Sequence, residues 1–434
     1  MKRVENGRRI LSTEVTTMRK GWKKVGLALV SLGLALVLVA SACIPQVARA
    51  APGERSVKVG LRALFTGPGA DTGVPYFTGT IDAFKYMNEE QGGIDGVKVE
   101  VTWRDCKVSA AEGIVAHKAF VRQGVVIEED IVSTISDVLA PRQQQDEIPL
   151  ITASATQAMV TKPIPWVFMI HPGWCATFID VVKWFKENWS DEKRSPRVGM
   201  IHYNDPAAWS AAEGAPEYVG KVGAEYVGSE CVPLLGAIDT SVEWLRLAAK
   251  NPDLIWIIAY GATLVTLIKD AARLEIQQKG IKLCASALAI DQQYLAILAK
   301  DVEGWYSQDP FVMLDEMPDL PLGKVIIGWA AKYRGLPLER VSSHYVLGWT
   351  QAFLMAEAIS RAMEEVGFDN LTGRAVRDKL VTIRDFSPGG VITPITLTDE
   401  APFILTKVRM IQVCQGKRVP ISDPRPIECL VPGL

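Results

Sequence analysis

Histidine is scarce in this chain of 434 residues: His117, His171, His202 and His344 are all there is. None stands at ligand spacing and no His-Glu-x-x-His run occurs, so a zinc protease of that kind is excluded and no metal is expected. Cysteine is sparse, and no pair is spaced Cys-x-x-Cys, which argues against a zinc ribbon. No Gly-x-Ser-x-Gly elbow marks a hydrolase nucleophile. After residue 50 no apolar run approaches a membrane span. No basic run occurs there either, so nucleic acid is not expected as a partner.

The first fifty residues read as a leader. Eight Lys and Arg precede the uncharged apolar run from Val25 to Ala42, and Ala48-Arg49-Ala50 fits a small-x-small cleavage site. Met18 is an alternative start. Ala40-Ser41-Ala42-Cys43 offers a second route, lipid attachment at Cys43. Export is expected, as a soluble or a lipid-anchored protein. Residues 1–50 carry nine basic and two acidic residues, leaving 38 basic and 47 acidic ones, a net charge of −9. Six cysteines remain in an oxidising compartment, and Cys414 and Cys429, flanking a short strand, are the expected disulfide.

From Ser56 to Gly93 the chain reads as strand, loop and helix. Val57, Val59, Leu61 and Ala63 alternate as a strand does, and Phe77, Ile81, Phe84 and Met87 recur on one helical face. The loop Thr66–Gly73 spaces its glycines one residue too far apart for the dinucleotide fingerprint, so no cofactor is expected. It is instead expected to touch a small ligand at the carboxyl end of its strand.

Further β and α segments alternate. Ser109-x-x-Glu112 and Thr240-x-x-Glu243 read as capping boxes. A strand at Ile131–Val132 runs into Ser133–Ser136, and Pro149–Ile151 runs into Thr152–Thr156; both tips are rich in hydroxyls. After Ser190–Pro196 a second series begins, with strands at Arg197–His202, Glu225–Val232, Leu254–Ile258 and Ile281–Cys284. Two helices and a strand-rich tail then follow. The pattern predicts an α/β fold: two doubly wound parallel-sheet lobes, 56–173 with about 310–398 and 174–307 with about 399–430. Several crossings between them imply a hinge and a cleft.

With this order in view, FTGPGADTG, NEEQGGIDG, VTWRDCKVSAAEG, IPLITASAT, HYNDPAAWS, GGVITPITLT and QGKRVPIS resemble type I periplasmic solute-binding proteins. More narrowly, they are similar to the branched-chain amino acid-binding family of ABC transporters, over about residues 56–425. The resemblance implies a monomeric, non-enzymatic protein that holds a small molecule between its lobes and hands it to a membrane permease with ATPase subunits. It implies ligand contacts from Thr72, from Ser133, Thr134 and Ser136, from Ser154, Ala155 and Thr156, and from Trp209 and Tyr260. Where relatives carry a glutamate for an α-ammonium this chain has Leu288, with Asp291 three residues on as the candidate replacement. The family partner of Cys106 is missing. Plainer roles stand beside these: Ser154 and Thr156 as helix caps, Trp209 as a core residue and Asp291 as the cap of a helix at Gln292. The other function classes are an exported hydrolase-like enzyme and the ligand-sensing domain of a receptor.

Overall fold

The alternation at the start becomes strand β1 (Ser56–Ala63), whose Val57, Val59, Leu61 and Ala63 are all buried. The computed structural model describes residues 55–427 except 68, 155, 157–158, 160–165, 171–172 and 400–406. The expected leader therefore lies outside the described residues. So does Cys429; Cys414 is a free thiol, as are Cys106, Cys175, Cys231 and Cys284.

In the first lobe β1 is followed by α1 (Ala70–Glu90), β2 (Lys98–Asp105), α2 (Ala110–Gln123), β3 (Ile127–Asp130), α3 (Ser133–Asp146), β4 (Leu150–Thr152) and β5 (Val167–Met169). These strands form a parallel sheet in the order β2-β1-β3-β4-β5. The second lobe opens with α4 (Trp174–Glu187) and continues through β6 (Arg197–Tyr203), α5 (Pro206–Lys221), β7 (Glu225–Val232), α6 (Ser241–Ala248), β8 (Leu254–Ile258), α7 (Gly261–Arg273), β9 (Lys282–Ala285), α8 (Gln292–Leu298) and β10 (Tyr306–Asp309). Its parallel strands take the order β7-β6-β8-β9-β10, the same doubly wound order as in the first lobe. In such sheets ligands bind beyond the carboxyl ends of the strands, beside the switch point.

The chain then returns to the first lobe. Phe311 bridges Ile392, and helices α9 (Pro321–Arg334), α10 (Ser343–Val366) and α11 (Gly373–Leu380) contribute to the first core. Helices α1 and α10 meet at glycines: a Cβ on Gly79 would stand 2.2 Å from Tyr345 O, and one on Gly348 2.1 Å from Tyr76 O. Antiparallel strands β11 (Lys407–Cys414) and β12 (Lys417–Pro420), turning at Gln415–Gly416, extend the second sheet beyond β10, and β13 (Arg425–Pro426) pairs with β11. No helix among the described residues is long and apolar enough to cross a membrane.

Several sequence expectations are corrected. The third strand is Ile127–Asp130, not Ile131–Val132, so Ser133–Ser136 form the first turn of α3 rather than a strand tip. Helix α1 starts at Ala70 after Gly69, whose φ of 91° suits glycine, and this puts Thr72 and Pro75 inside the helix. The Ser109 cap is made, accepting from Glu112 N at 3.4 Å. Thr240 makes no side-chain cap; its hydroxyl donates to Asp270 Oδ2 at 2.9 Å.

Candidate functional site

The two sets of strand ends face each other across a cleft enclosing about 970 Å3, open solvent at its mouth included. The first lobe supplies Leu64 after β1, Thr72 on α1, Val108 after β2, Ile131 and Val132 after β3, Ala153 and Ser154 after β4, and Ile170 after β5. The second supplies Trp174 of α4, Tyr203 ending β6, Asp205, Leu234 and Leu235 after β7, Tyr260 and Gly261 after β8, and Leu288 after β9. The crossing segments add Pro310, Phe311, His344, Leu347 and Ile392. The wall is mainly aliphatic and aromatic, and among the described residues no lysine or arginine lines it.

Tyr260 organises the aromatic part. Its ring lies 5.9 Å from Trp174, 6.3 Å from Tyr203 and 6.0 Å from His344. Its hydroxyl donates to Ala287 O at 2.6 Å, which fixes the ring. Ser154 is buried, and its Oγ accepts from Trp174 Nε1 at 3.4 Å, so the hydroxyl proton stays available. The Tyr203 hydroxyl has no hydrogen-bond partner among the described residues.

Two of the polar joints between the lobes lie at Asp205 and Asp71. Asp205 caps α5, accepting from Ala207 N at 3.0 Å, and accepts across the cleft from the Ser133 hydroxyl and from Thr134 Oγ1 at 3.2 Å. Burial pushes the Asp205 carboxyl up even against these donors. Burial and the neighbouring Asp205 push Asp137, one turn along α3, up to about 7. The second joint forms at Asp71. Pro75 has no N–H to give to the Asp71 carbonyl one turn back, and Gln293 Nε2 donates to that oxygen from the second lobe at 3.2 Å. Tyr294 donates to the Asp71 carboxylate at 3.0 Å. Gly261, at φ 65°, lies against that carboxylate; a Cβ there would stand 3.1 Å from Asp71 Oδ2.

Of the residues singled out from sequence, Thr72, Ser154 and Tyr260 line the cleft, as does Leu288. Leu288 holds a left-handed φ of 64°, a strained state for a branched side chain. Ser133 and Thr134 serve the Asp205 joint instead of facing the cavity. Ser136 lies beneath, donating to Asp130 Oδ1 at 2.6 Å. Thr156 sits against Asp137, and Ala155 lies outside the described residues. Trp209 stays out of the cleft; it is 41% exposed and donates to Asn204 Oδ1 at 2.8 Å. Asp291 is buried away from the cavity lining and caps α8, accepting from Gln292 N at 2.6 Å, which is its plainer role. Sequence reasoning missed Trp174, Tyr203, Asp205 and His344. Tyr203 and Asp205 end and follow a strand that the sequence places at Arg197–His202, one residue short, so the strand-end rule was signal enough. Nothing local marks His344.

This arrangement holds an apolar body and a small number of polar atoms. His344 Nδ1 lies 3.4 Å from Asp291 Oδ2, a His–Asp pair of the kind hydrolases use. No hydroxyl or thiol among the described residues bonds its Nε2. A sequence profile described as periplasmic binding protein matches residues 56–417. The chain belongs to the periplasmic binding protein family. The type I fold of this family is shared with a branched-chain amino acid ABC transporter protein from Thermus thermophilus solved with bound valine: 21% identity, TM-score 0.76, 86% of this chain and 97% of that one. A fatty acid ABC transporter substrate-binding protein from Thermomonospora curvata gives 18%, 0.72, 87% and 95%. A solute-binding protein from Rhodopseudomonas palustris HaA2 in complex with p-hydroxybenzoic acid gives 18%, 0.69, 86% and 98%. No curated protein matches the chain.

Proposed function

We propose that this periplasmic binding protein is the extracytoplasmic solute-binding component of an ABC transporter. It captures a small solute with an apolar body between its lobes and delivers it to a permease with ATPase subunits. The observation that carries this is the cleft: strand ends of both lobes converge on an apolar wall without lysine or arginine among the described residues. The similar structures with bound valine or p-hydroxybenzoic acid, and that of the fatty acid transporter protein, support a ligand of that kind.

The ligand lacks an α-ammonium. Leu288 cannot pair with one, Asp291 is committed to helix ends, and Asp205, the acid in the lining, is taken up by Ser133, Thr134 and Ala207 N. An ammonium buried there unpaired would cost several kcal/mol. Ser154, Thr72 and Tyr203 supply neutral hydrogen bonds, while Tyr260 and Trp174 supply the aromatic wall. The protein acts as an exported monomer, cleaved after Ala50 or lipidated at Cys43, with lobes hinged at their crossings.

A thermal-shift screen against aliphatic and aromatic acids, amides and amino acids tests this. Excess ligand at a hundredfold over Kd stabilises by about 2.7 kcal/mol. Small-angle scattering on the same hits should report a smaller radius of gyration where the ligand-free lobes open. A screen in which only sugars or multiply charged ions stabilise the protein would sink the proposal.

A further inference from the structure

His344 stands at the start of α10, where the two lobes are tied together. Its ring is buried and lines the cleft. Behind it, Asp291 Oδ1 accepts from Gln292 N at 2.6 Å and Ser343 N at 3.0 Å. Asp291 Oδ2 takes the Ser342 hydroxyl and His344 Nδ1 at 3.4 Å. Burial alone would raise the Asp291 carboxyl, but the His344 and Ser342 bonds outweigh it and hold it below its ordinary range. A carboxylate only accepts, so Nδ1 carries a proton. Nε2 is left as the uncommitted atom of the ring, with no partner among the described residues.

Among the described lining side chains, histidine is the one type able to carry positive charge, and His344 is the single histidine there. The other charges nearby are engaged. Asp309 pairs with Arg418, whose Nη1 also donates to Ser343 Oγ at 3.0 Å. Asp205 is held at the lobe joint. An anion entering an apolar cleft needs a donor or cation to offset its lost hydration.

We propose that His344 Nε2 anchors the head group of the ligand, and that this head is a single carboxylate on an apolar body. The inference rests on the reading of the cleft as a solute site. In the complex the ring carries both protons, giving Nδ1–H to Asp291 and Nε2–H to the ligand. Binding of the anion to a neutral ring takes up one proton from water; binding to a charged ring takes up none. Asp291 positions the ring by fixing which nitrogen turns away from the cavity. A dicarboxylate is rejected, because its second charge meets no cation among the described lining residues.

The test uses the purified protein with octanoate and benzoate as probes and their methyl esters as neutral controls. Calorimetry compares wild type with His344→Gln. The acids should lose about tenfold or more in affinity in the variant, as expected for a charge-assisted bond, while the esters hold theirs. Nitrogen-15 spectra of the wild-type octanoate or benzoate complex should show protons on both ring nitrogens of His344. That readout decides the matter by itself if the variant folds poorly. Equal losses for acid and ester, or no loss, overturn the anchor and leave the apolar cleft standing. A bound acid beside a singly protonated His344 also overturns it. If neither acids nor esters bind wild type, the anchor and the reading of the cleft fall together.

Discussion

Strands β3 and β8 hold the same place in their respective sheets, and both are fully buried. Their sequences are opposites. β8 is Leu-Ile-Trp-Ile-Ile, with Trp256 stacked 5.0 Å from Phe178. β3 is Ile-Glu-Glu-Asp. Glu128 takes Arg62, His117 Nδ1 at 2.8 Å and Gln143 Nε2 at 2.9 Å. Asp130 takes Arg62 Nη2 at 3.0 Å and Ser136 Oγ at 2.6 Å, while Glu129 accepts from Thr80 at 3.1 Å. One topology thus tolerates a hydrocarbon core and an ionic one. The ionic core gains little stability over hydrocarbon, because desolvation offsets the attraction. What it adds is direction. Ser136 also shares a hydrogen bond with Thr152 Oγ1 at 3.1 Å, and that oxygen receives Ser154 N at 3.2 Å. The charged centre of the first lobe is therefore linked to a residue of the cleft, and the apolar centre of the second has no such chain from β8.

The contrast breaks most severely at Arg62. Arg62→Met strands two buried carboxylates and should cost about 3–5 kcal/mol in denaturant unfolding. A loss below about 1 kcal/mol would mean that the network is not charged in the folded protein. Glu129 gives the next effect, on the order of a few kcal/mol. Burial pushes its carboxyl up to about 8, against about 4.3 in the unfolded chain. Within that window the folded state holds the extra proton, so its contribution to stability falls as pH rises. His117 has the same sign: burial alone would lower it, but Glu128 raises it, so its contribution is lost as pH climbs through its folded value. Glu129→Gln should gain on wild type as pH rises from about 4.3 to about 8, and the difference between the two profiles removes the His117 part. Parallel profiles would place an ionised Glu129 in the core.

At the lobe joint, Ser133→Ala removes a donor to the Asp205 carboxylate, about 1.5–3 kcal/mol of closure. The ligand-free variant should scatter with a larger radius of gyration; an unchanged radius would show that this joint does not hold the lobes. The smallest effect belongs to β8, where Ile257→Val should cost about 0.5–1.5 kcal/mol and have no pH dependence. A pH-dependent loss there would dissolve the contrast.

The same contrast explains what was legible. β8 and β7 were read at their true bounds, because an apolar or alternating run announces a strand. β3 was misplaced, since three acids in a row read as solvent-facing. That shift carries Ser133, Thr134 and Ser136 with it: their sequence suggests a ligand-facing tip, and the structure makes them a helix start. β5 and α4 were not read, and Trp174 was missed with them. Ser154 and Tyr260 were found because strand ends mark clefts. His344 lies on a helix joined to the cleft only by tertiary folding, so no local pattern discloses it.

The central claim is an apolar cleft with no place for an α-ammonium. Calorimetric titration with a matched pair, leucine and its des-amino acid 4-methylpentanoate, tests it most directly. The two share a carboxylate and a branched body and differ in the ammonium. 4-Methylpentanoate should bind about tenfold or more tightly than leucine, because Leu288 leaves that charge unpaired. Tighter binding of leucine would contradict it, and would mean that a carboxylate of the closed protein does reach the ammonium.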